Sequence, residues 1–453
     1  MERQNQSHGS SLRVWIREHK RCIEFNSTDI ESALKTAAIK FAPTEIPRDY
    51  NVNELGDGLR SLFYFSLVNT LLRAEQDLAK KIEEGILERQ ILKILPPALT
   101  ILVVEEPENH ISPQLIGRVL KSLKETADTN NAQVVISSHT PTIIKRIKAT
   151  DIRHFRVDEA DGHSLVNQVV LPLKADVAHK FVKEAVEAYP EIYFAHLVVL
   201  GEGDSEMVVL PRIIEHTNSD IDVLGISIAP LGGSYVNHFW RLLRELKIPH
   251  ITLLDLDRER NGGGWGRIKY VIDQLIEYGE DKLLLFNCNE CDILTDDILE
   301  NMHTRSVTLV TEMNKWIGIL RNYNVYFCSP LDLDFVLLEN YSEQYKNTAE
   351  KGHGPSIDGV GKIREVEKLD PLPDAYHLRV ERNTKHILKD EGGDGSTYTD
   401  AQKRLMVWYK YLFLDRSKPV THLKALFECD FGDLSDIPEP LKSIVQKIEK
   451  ILS

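Results

Sequence analysis

A chain of 453 residues with a net charge of −14, 42% hydrophobic and 27% charged, has the make-up of a globular protein of about two or three domains. No apolar stretch is long enough to cross a bilayer, and the polar start MERQNQSHGSS lacks a signal peptide's apolar core, so the expected setting is the cytoplasm, with no membrane partner. Five cysteines exclude a disulfide framework, the lone CxxC at Cys288 and Cys291 has no second pair at zinc spacing, and the acidic balance confines nucleic-acid contacts to local basic patches or bound cations.

In chain order, Leu12–Ile16 reads as a strand and Asp29–Lys40 as a helix. At residues 52–72, VNELGDGLRSLFYFSLVNTLL, a Gly56-Asp57-Gly58 turn opens a long apolar helix, whose first backbone N–H groups suit an anion. A plain glycine turn before a core helix is the simpler reading of that stretch alone. Leu99–Val104 is a buried strand ending in Glu105-Glu106-Pro107-Glu108. Ser112-Pro113 opens an amphipathic helix to about Ala127, and Gln133–Ile136 is a second buried strand, followed by Ser137-Ser138-His139. Strand, acid pair, helix, strand and histidine together resemble the back half of an ABC-type ATPase. In that likeness ILVVEE is a Walker B motif with Glu105 holding Mg²⁺ through water and Glu106 orienting the attacking water, His139 is the switch histidine, and Leu55-Gly56-Asp57-Gly58 is the signature. No GxxxxGK[ST] occurs in the sequence, and GHGPSIDGVGK at 352–362 has the wrong spacing. The ATP site is therefore expected to be incomplete and the chain to be the C-terminal part of a longer ATPase. Strands at Ile152–Val157 and Leu165–Leu171 and a helix at Val177–Ala188 come next, and Tyr189-Pro190 marks the expected domain boundary.

Beyond it, the short apolar run Leu197–Leu200 ends at Glu202, with Glu206 at the start of the next helix, and Ile251–Leu254 ends in Asp255-Leu256-Asp257. Strand–helix repeats build a parallel sheet, and ligands bind at the carboxyl ends of its strands, so these acids converge on one crevice. Carboxylates gathered without compensation repel one another, and hard oxygen donors suit Mg²⁺ or Mn²⁺. The bland alternative makes each acid a helix cap. Asn261–Gly266 is a glycine loop beside the site, open to DNA backbone or merely to solvent. Val325–Cys328 is a further strand, ending in Ser329-Pro330-Leu331-Asp332-Leu333-Asp334, where Asp332 is either a ligand or an N-cap. Residues 343–400 are expected to be a long, partly ordered insertion, and 401–414 an aromatic, basic helix whose rings belong to the core. Asp415-Arg416-Ser417-Lys418-Pro419 then leads into a terminal helical region.

The strand-Glu202-Gly203 turn, Asp255-x-Asp257 and the strand–helix order between them resemble a Toprim domain. An ABC-type head with an EEPE Walker B followed directly by Toprim resembles the OLD (overcoming lysogenization defect) family of ATP-dependent DNA nucleases, over nearly the whole chain. The resemblance implies an α/β architecture: a partial ATPase head over 1–190, a Toprim nuclease domain over 191–345, and an insertion with a helical C-terminal region over 346–453. It implies one or two Mg²⁺ or Mn²⁺ ions on Glu202, Glu206, Asp255, Asp257, Asp332 and Asp334. It also implies a functional lysine at Lys418, DNA as substrate, a homodimer through the ATPase part, and a role in phage defence beside an upstream-encoded Walker A portion or another defence protein. Rival readings are an ATP-dependent DNA clamp or repair scaffold that does not cut, and a Toprim primase or topoisomerase, though nothing marks a nucleophilic tyrosine.

Overall fold

The structure is a computed structural model, described for residues 19–24, 38–43, 50–86, 97–109, 111–129, 132–158, 162–169, 188–216, 220–231, 236–282, 284, 294–349, 353–389, 392–429, 431 and 434–452. The expected strand Leu12–Ile16, all but the last residue of the expected helix Val177–Ala188, Cys288 and Cys291 lie outside these residues. The chain divides into two compact units, Met1–Lys148 and Ala149–Ser453.

In the first unit, β1 (His19–Glu24), β2 (Ala38–Pro43) and β3 (Tyr50–Asn51) form an antiparallel sheet. Residues 38–40, expected to close a helix, are thus strand. Tertiary contact overrides the helical pattern there, because neighbouring Phe41 is buried edge-on against Phe63 at 5.2 Å. Phe63 belongs to α1 (Asp57–Glu83), which begins at Gly56. β4 (Thr100–Glu105), α2 (Pro113–Ala127) and β5 (Ala132–Ser137) make a parallel strand–helix–strand unit, in register from Thr100↔Ala132 to Glu105↔Ser137. The apolar face of α2 (Ile116, Val119, Leu120, Leu123) buries against Val104 and Leu62. Buried Asn69 of α1 bridges to α2, donating to Ser122 and accepting the Thr126 hydroxyl at 2.7 Å.

The second unit opens with a hairpin, β6 (Arg153–Val157) and β7 (Ser164–Gln168). The expected boundary at Tyr189-Pro190 differs from the contact-based one because this hairpin bonds to residues beyond Pro190. His154 Nε2 lies 2.7 Å from the Tyr193 carbonyl, and Arg156 donates to the carbonyls of Ala195 and His196. The main sheet is wholly parallel, ordered β11 (Val325–Cys328), β10 (His250–Asp255), β8 (Leu197–Gly201), β9 (Ile226–Pro230). Every residue of β8 and β11 is buried, as continuous apolar runs in a parallel sheet require. Helices α3 (Asp204–His216), α4 (Val236–Glu245) and α5 (Trp265–Glu277) lie between or after the strands. Buried Thr252 is satisfied by the Trp240 indole N–H at 2.8 Å.

Most of the rest of the unit is helical, including α6 (Leu333–Asn340), α7 (Asp374–Ile387), α8 (Asp400–Tyr409), a π-turn at Lys410–Leu414, α9 (Lys418–Phe427) and α10 (Glu439–Leu452). Trp408, Tyr409, Phe413, Leu441 and Ile444 share one core with Leu197, Val199 and Ile213. The stretch expected to be a loosely ordered insertion is therefore integral, with Tyr345, Ile363, Tyr376 and Tyr398 buried in that core. Its large rings, spaced widely among charged residues, find partners only in three dimensions.

Candidate active site

The candidate acids of the second unit stand at or shortly after the ends of strands of the parallel sheet. Glu202 follows β8, and its Oε1 accepts the Asp255 N–H at 2.9 Å, tying the ends of β8 and β10 together. Glu206, in the first turn of α3, is buried and accepts the Gly203 N–H at 2.9 Å. Asp255 Oδ1 accepts the Leu333 N–H at 3.1 Å, so it caps the start of α6. Asp332 caps the same helix through Phe335 N–H at 2.9 Å, and its other oxygen accepts the Tyr409 hydroxyl. The chain after Asp255 turns over the β11 exit. Leu256 N donates to Cys328 O at 3.0 Å, Asp257 N to Leu331 O at 2.8 Å and Arg258 N to Pro330 O at 3.0 Å.

The glycine loop beside the site closes on itself. Gly264 N donates to Leu256 O at 2.7 Å, and a Cβ at Gly263 would fall 1.9 Å from the Asp257 carbonyl oxygen. Close approach of two backbone segments thus explains that glycine.

Three cations stand among the carboxylates. Arg267 reaches Glu202 at 3.3 Å and Asp257 at 3.0 Å. Arg260 meets Asp257 at 2.5 Å and Asp332 at 3.6 Å. Lys418, at the start of α9, holds Asp334 Oδ2 at 2.6 Å. The other oxygen of Asp334 accepts from Ser205 at 2.7 Å and from His422 Nε2 at 2.8 Å, and His422 Nδ1 lies 2.7 Å from the Tyr345 hydroxyl. Both oxygens of Asp334 are thereby engaged. Among the described residues, no three acidic, histidine or cysteine side chains form a ready coordination shell.

Charge balance across the cluster is uneven. Burial, followed by repulsion from Glu202, Asp332, Glu206 and Asp257, raises the Asp255 carboxyl well above the ordinary range. Burial also raises Glu202, against the pull of Arg267, and lifts Glu206 from 4.5 to about 8 and Asp332 from 3.8 to about 6. Asp334 goes the other way: burial would raise it, but His422 and Lys418 hold it below the usual range. The Glu202, Glu206 and Asp255 corner is thus short of positive charge, while Asp334 is saturated with donors.

A stability slope results. Folded Glu206 keeps its proton up to about 8, whereas the unfolded chain releases it above about 4.5, so folding loses free energy as pH rises between those values. In chelator-containing buffer, raising the pH from about 5.5 to about 8 is expected to lower the melting temperature less in Glu206→Gln than in the parent. Thermal melts of both proteins measure it, and equal slopes would contradict the assignment. Asp334 does not interfere, since its contribution is lost only at pH below the ordinary 3.8.

In the first unit, Glu105 ends β4, and Glu106 follows at φ 43°, its N–H bonded to Ser137 O. His139 Nδ1 is 3.2 Å from Glu106 Oε1, so the acid and the histidine separated by α2 and β5 meet. Glu108 fixes the histidine loop, accepting from the Ser138 hydroxyl at 2.7 Å and the His139 N–H at 3.3 Å. Gly56 and Gly58 stand at the N-terminus of α1.

Glu108, Ser205, Arg260, Arg267, Tyr345 and His422 were given no role from sequence, and Tyr409 was read only as a core ring of the aromatic helix. A readable signal existed for two of them: Glu108 belongs to the EEPE run, and His422 lies four residues after Lys418, on the same helical face.

Residues 193–257 match the family "Overcoming lysogenization defect protein-like, TOPRIM domain", and residues 26–144 match an AAA ATPase domain. The two domain matches, with the names of the relatives, support a likeness to the OLD family. The chain is 22% identical over 297 residues to "Endonuclease GajA" of Bacillus cereus (strain HuB5-5), an alignment covering 59% of this chain and 42% of that protein. It is 25% identical over 161 residues to "OLD nuclease" of Thermus scotoductus (strain ATCC 700910 / SA-01), covering 34% of this chain and 30% of the relative. The match therefore spans less than half the length of either relative. A solved structure, the C-terminal region of the Burkholderia pseudomallei OLD protein, aligns over 57% of this chain and all of that one, at 15% identity and a TM-score of 0.36.

Proposed function

We propose that this chain is a metal-dependent DNA endonuclease of the OLD type, hydrolysing phosphodiester bonds at the acid cluster. The observation that carries the reading is the gathering of Glu202, Glu206, Asp255 and Asp257 just beyond β8 and β10, with proton affinity raised at three of them, chiefly by burial and further by neighbouring carboxylates. The donor set fits a hard divalent ion, Mg²⁺ or Mn²⁺, because it is all carboxylate oxygen. Glu202, Glu206, Asp255 and Asp257 would hold it, with Asp332 at the margin. A bound ion supplies Lewis-acid activation of water and offsets charge on the phosphate. Arg267 pairs with Glu202 and Asp257, two of the carboxylates that would hold the ion, and with the ion in place its guanidinium would be available to the phosphate backbone. Asp334, with donors on both oxygens, serves to hold Lys418 rather than to ligate.

Plasmid nicking in Mg²⁺ or Mn²⁺ is the test. DNA binding without cutting would leave the clamp reading in its place, and protein trapped covalently on DNA would mark a topoisomerase. A homodimer through the ATPase part and a role in phage defence belong to the same proposal, and light scattering and phage challenge examine them.

For ATP, Glu106 and His139 are positioned to orient water and sense phosphate, but the sequence has no GxxxxGK[ST] to cradle the β- and γ-phosphates. The purified chain alone is expected to show no appreciable ATP turnover. Steady-state phosphate release measures it, and turnover that disappears in Glu106→Gln would overturn the expectation.

A further inference from the structure

After Asp255 the chain adopts a conformation that L-residues disfavour. Asp257 has φ 52° and Glu259 has φ 67°, so two acidic side chains within three residues sit in left-handed backbone. Such a conformation persists only where surrounding contacts impose it. For Glu259 the contacts come from a segment more than a hundred residues downstream.

Glu259 is buried, and its carboxylate spends both oxygens on that segment. Oε2 accepts the Gly395 N–H at 2.6 Å, and Oε1 accepts the Thr397 N–H at 2.8 Å and the Thr397 hydroxyl. The Glu259 carbonyl accepts the Gly393 N–H at 2.7 Å. Its neighbours are held from the same side. Arg258 donates to Thr397 O at 2.8 Å and lies over the Tyr398 ring, whose hydroxyl donates to Arg258 O at 2.6 Å. Arg260 Nε donates to Ile387 O at 3.0 Å while its Nη1 reaches Asp257.

Gly392 and Gly393 are glycines for a steric reason. A Cβ at Gly393 would fall 2.2 Å from Glu259 Oε2, and one at Gly392 would fall 2.1 Å from Glu259 O. At these two positions the turn wraps the glutamate too closely for a side chain.

Resting on the metal-site reading above, we infer that Glu259 and the 392–397 turn form a clasp that holds the Asp257 loop, making Glu259 a positioning residue for metal capture. Glu259 touches no other acid of the cluster through these bonds. It acts through the backbone that places Asp257 and through Arg260. A carboxylate is required, because a glutamine has one acceptor oxygen and would turn its amide N–H₂ toward a backbone N–H.

The test uses the full chain and two substitutions of different severity, Glu259→Gln and Thr397→Val. Thr397→Val removes one hydroxyl donor and leaves every backbone donor to Glu259 in place, so folding is retained even where Glu259→Gln fails to fold. Mn²⁺ binding is read directly from the free-ion paramagnetic resonance signal, and nicking rate is followed against Mn²⁺ concentration. The expected result is weaker Mn²⁺ binding, about tenfold or more in Glu259→Gln and smaller in Thr397→Val, the scale typical of residues that orient metal ligands. Nicking should recover toward the parent rate as Mn²⁺ is raised, a split that general destabilisation does not produce. Parental Mn²⁺ affinity in whichever of the two variants folds overturns the clasp. Asp255→Asn separates the two failures. If it too binds Mn²⁺ like the parent, the metal-site reading has failed; if it alone loses the ion, only the clasp has.

Discussion

Asp255→Asn is expected to lower metal-dependent DNA cleavage by on the order of 100-fold or more while leaving the fold at least as stable as the parent's. The first half rests on position. Asp255 ends the central strand β10, its N–H anchors Glu202, and its carboxyl faces Glu202, Asp332, Glu206 and Asp257. Removing its charge removes the donor at the centre of the cluster. The second half rests on the same crowding. The buried carboxylate is held among like charges, and an asparagine relieves that repulsion while its carbonyl still accepts the Leu333 N–H. Activity and stability should therefore part company, as they do where function is maintained against local strain. Plasmid nicking at saturating Mn²⁺ and a thermal melt of the same preparation measure both. Parental nicking would remove Asp255 from the site, and a cooperative melt well below the parent's would show that the charge is structural.

The strand-end acids were legible because two local signals coincide in each: a short apolar run and a carboxylate at its last position. β8 with Glu202 and β10 with Asp255 are of this kind, and so is β4 with Glu105. Asp332 was legible only as a choice between cap and ligand, and the cap is real: its oxygens go to Phe335 N–H and the Tyr409 hydroxyl. The arginines were not legible, since Arg267 meets Glu202 across 65 residues and nothing in the pattern around GGGWGR marks a bridging cation. Glu259 was hidden for the same reason, its partners lying 136 and 138 residues on, in a stretch whose polar, glycine-rich composition looks like a loop. Composition identifies chain that packs poorly by itself. It does not register glycines that are there because another segment passes through them.

Lys418→Ala is expected to reduce cleavage about 100-fold while Mn²⁺ binding and folding persist. The family resemblance implies a functional lysine at Lys418; the structure gives it an anchor. Its ammonium lies 2.6 Å from Asp334 Oδ2, and its side chain is 40% exposed while that of Asp334 is 3% exposed. One end of the pair is buried and fixed, and the other faces outward. Ser205 and His422 hold the opposite oxygen of Asp334, so the carboxylate keeps its place and two donors when the lysine is removed. The loss should then fall on the step that needs a positive charge, as negative charge builds on the phosphate in the transition state. Lys418→Arg should restore little. A guanidinium matches a carboxylate best by gripping both oxygens, and Asp334 Oδ1 is already committed to Ser205 and His422, so the planar group would sit differently from the compact ammonium. Nicking rates of both variants at saturating Mn²⁺, with Mn²⁺ affinity measured alongside, decide it. Parental cutting by Lys418→Ala would reduce the lysine to a surface partner of Asp334, and loss of Mn²⁺ binding in the same variant would move its role from the phosphate to the metal.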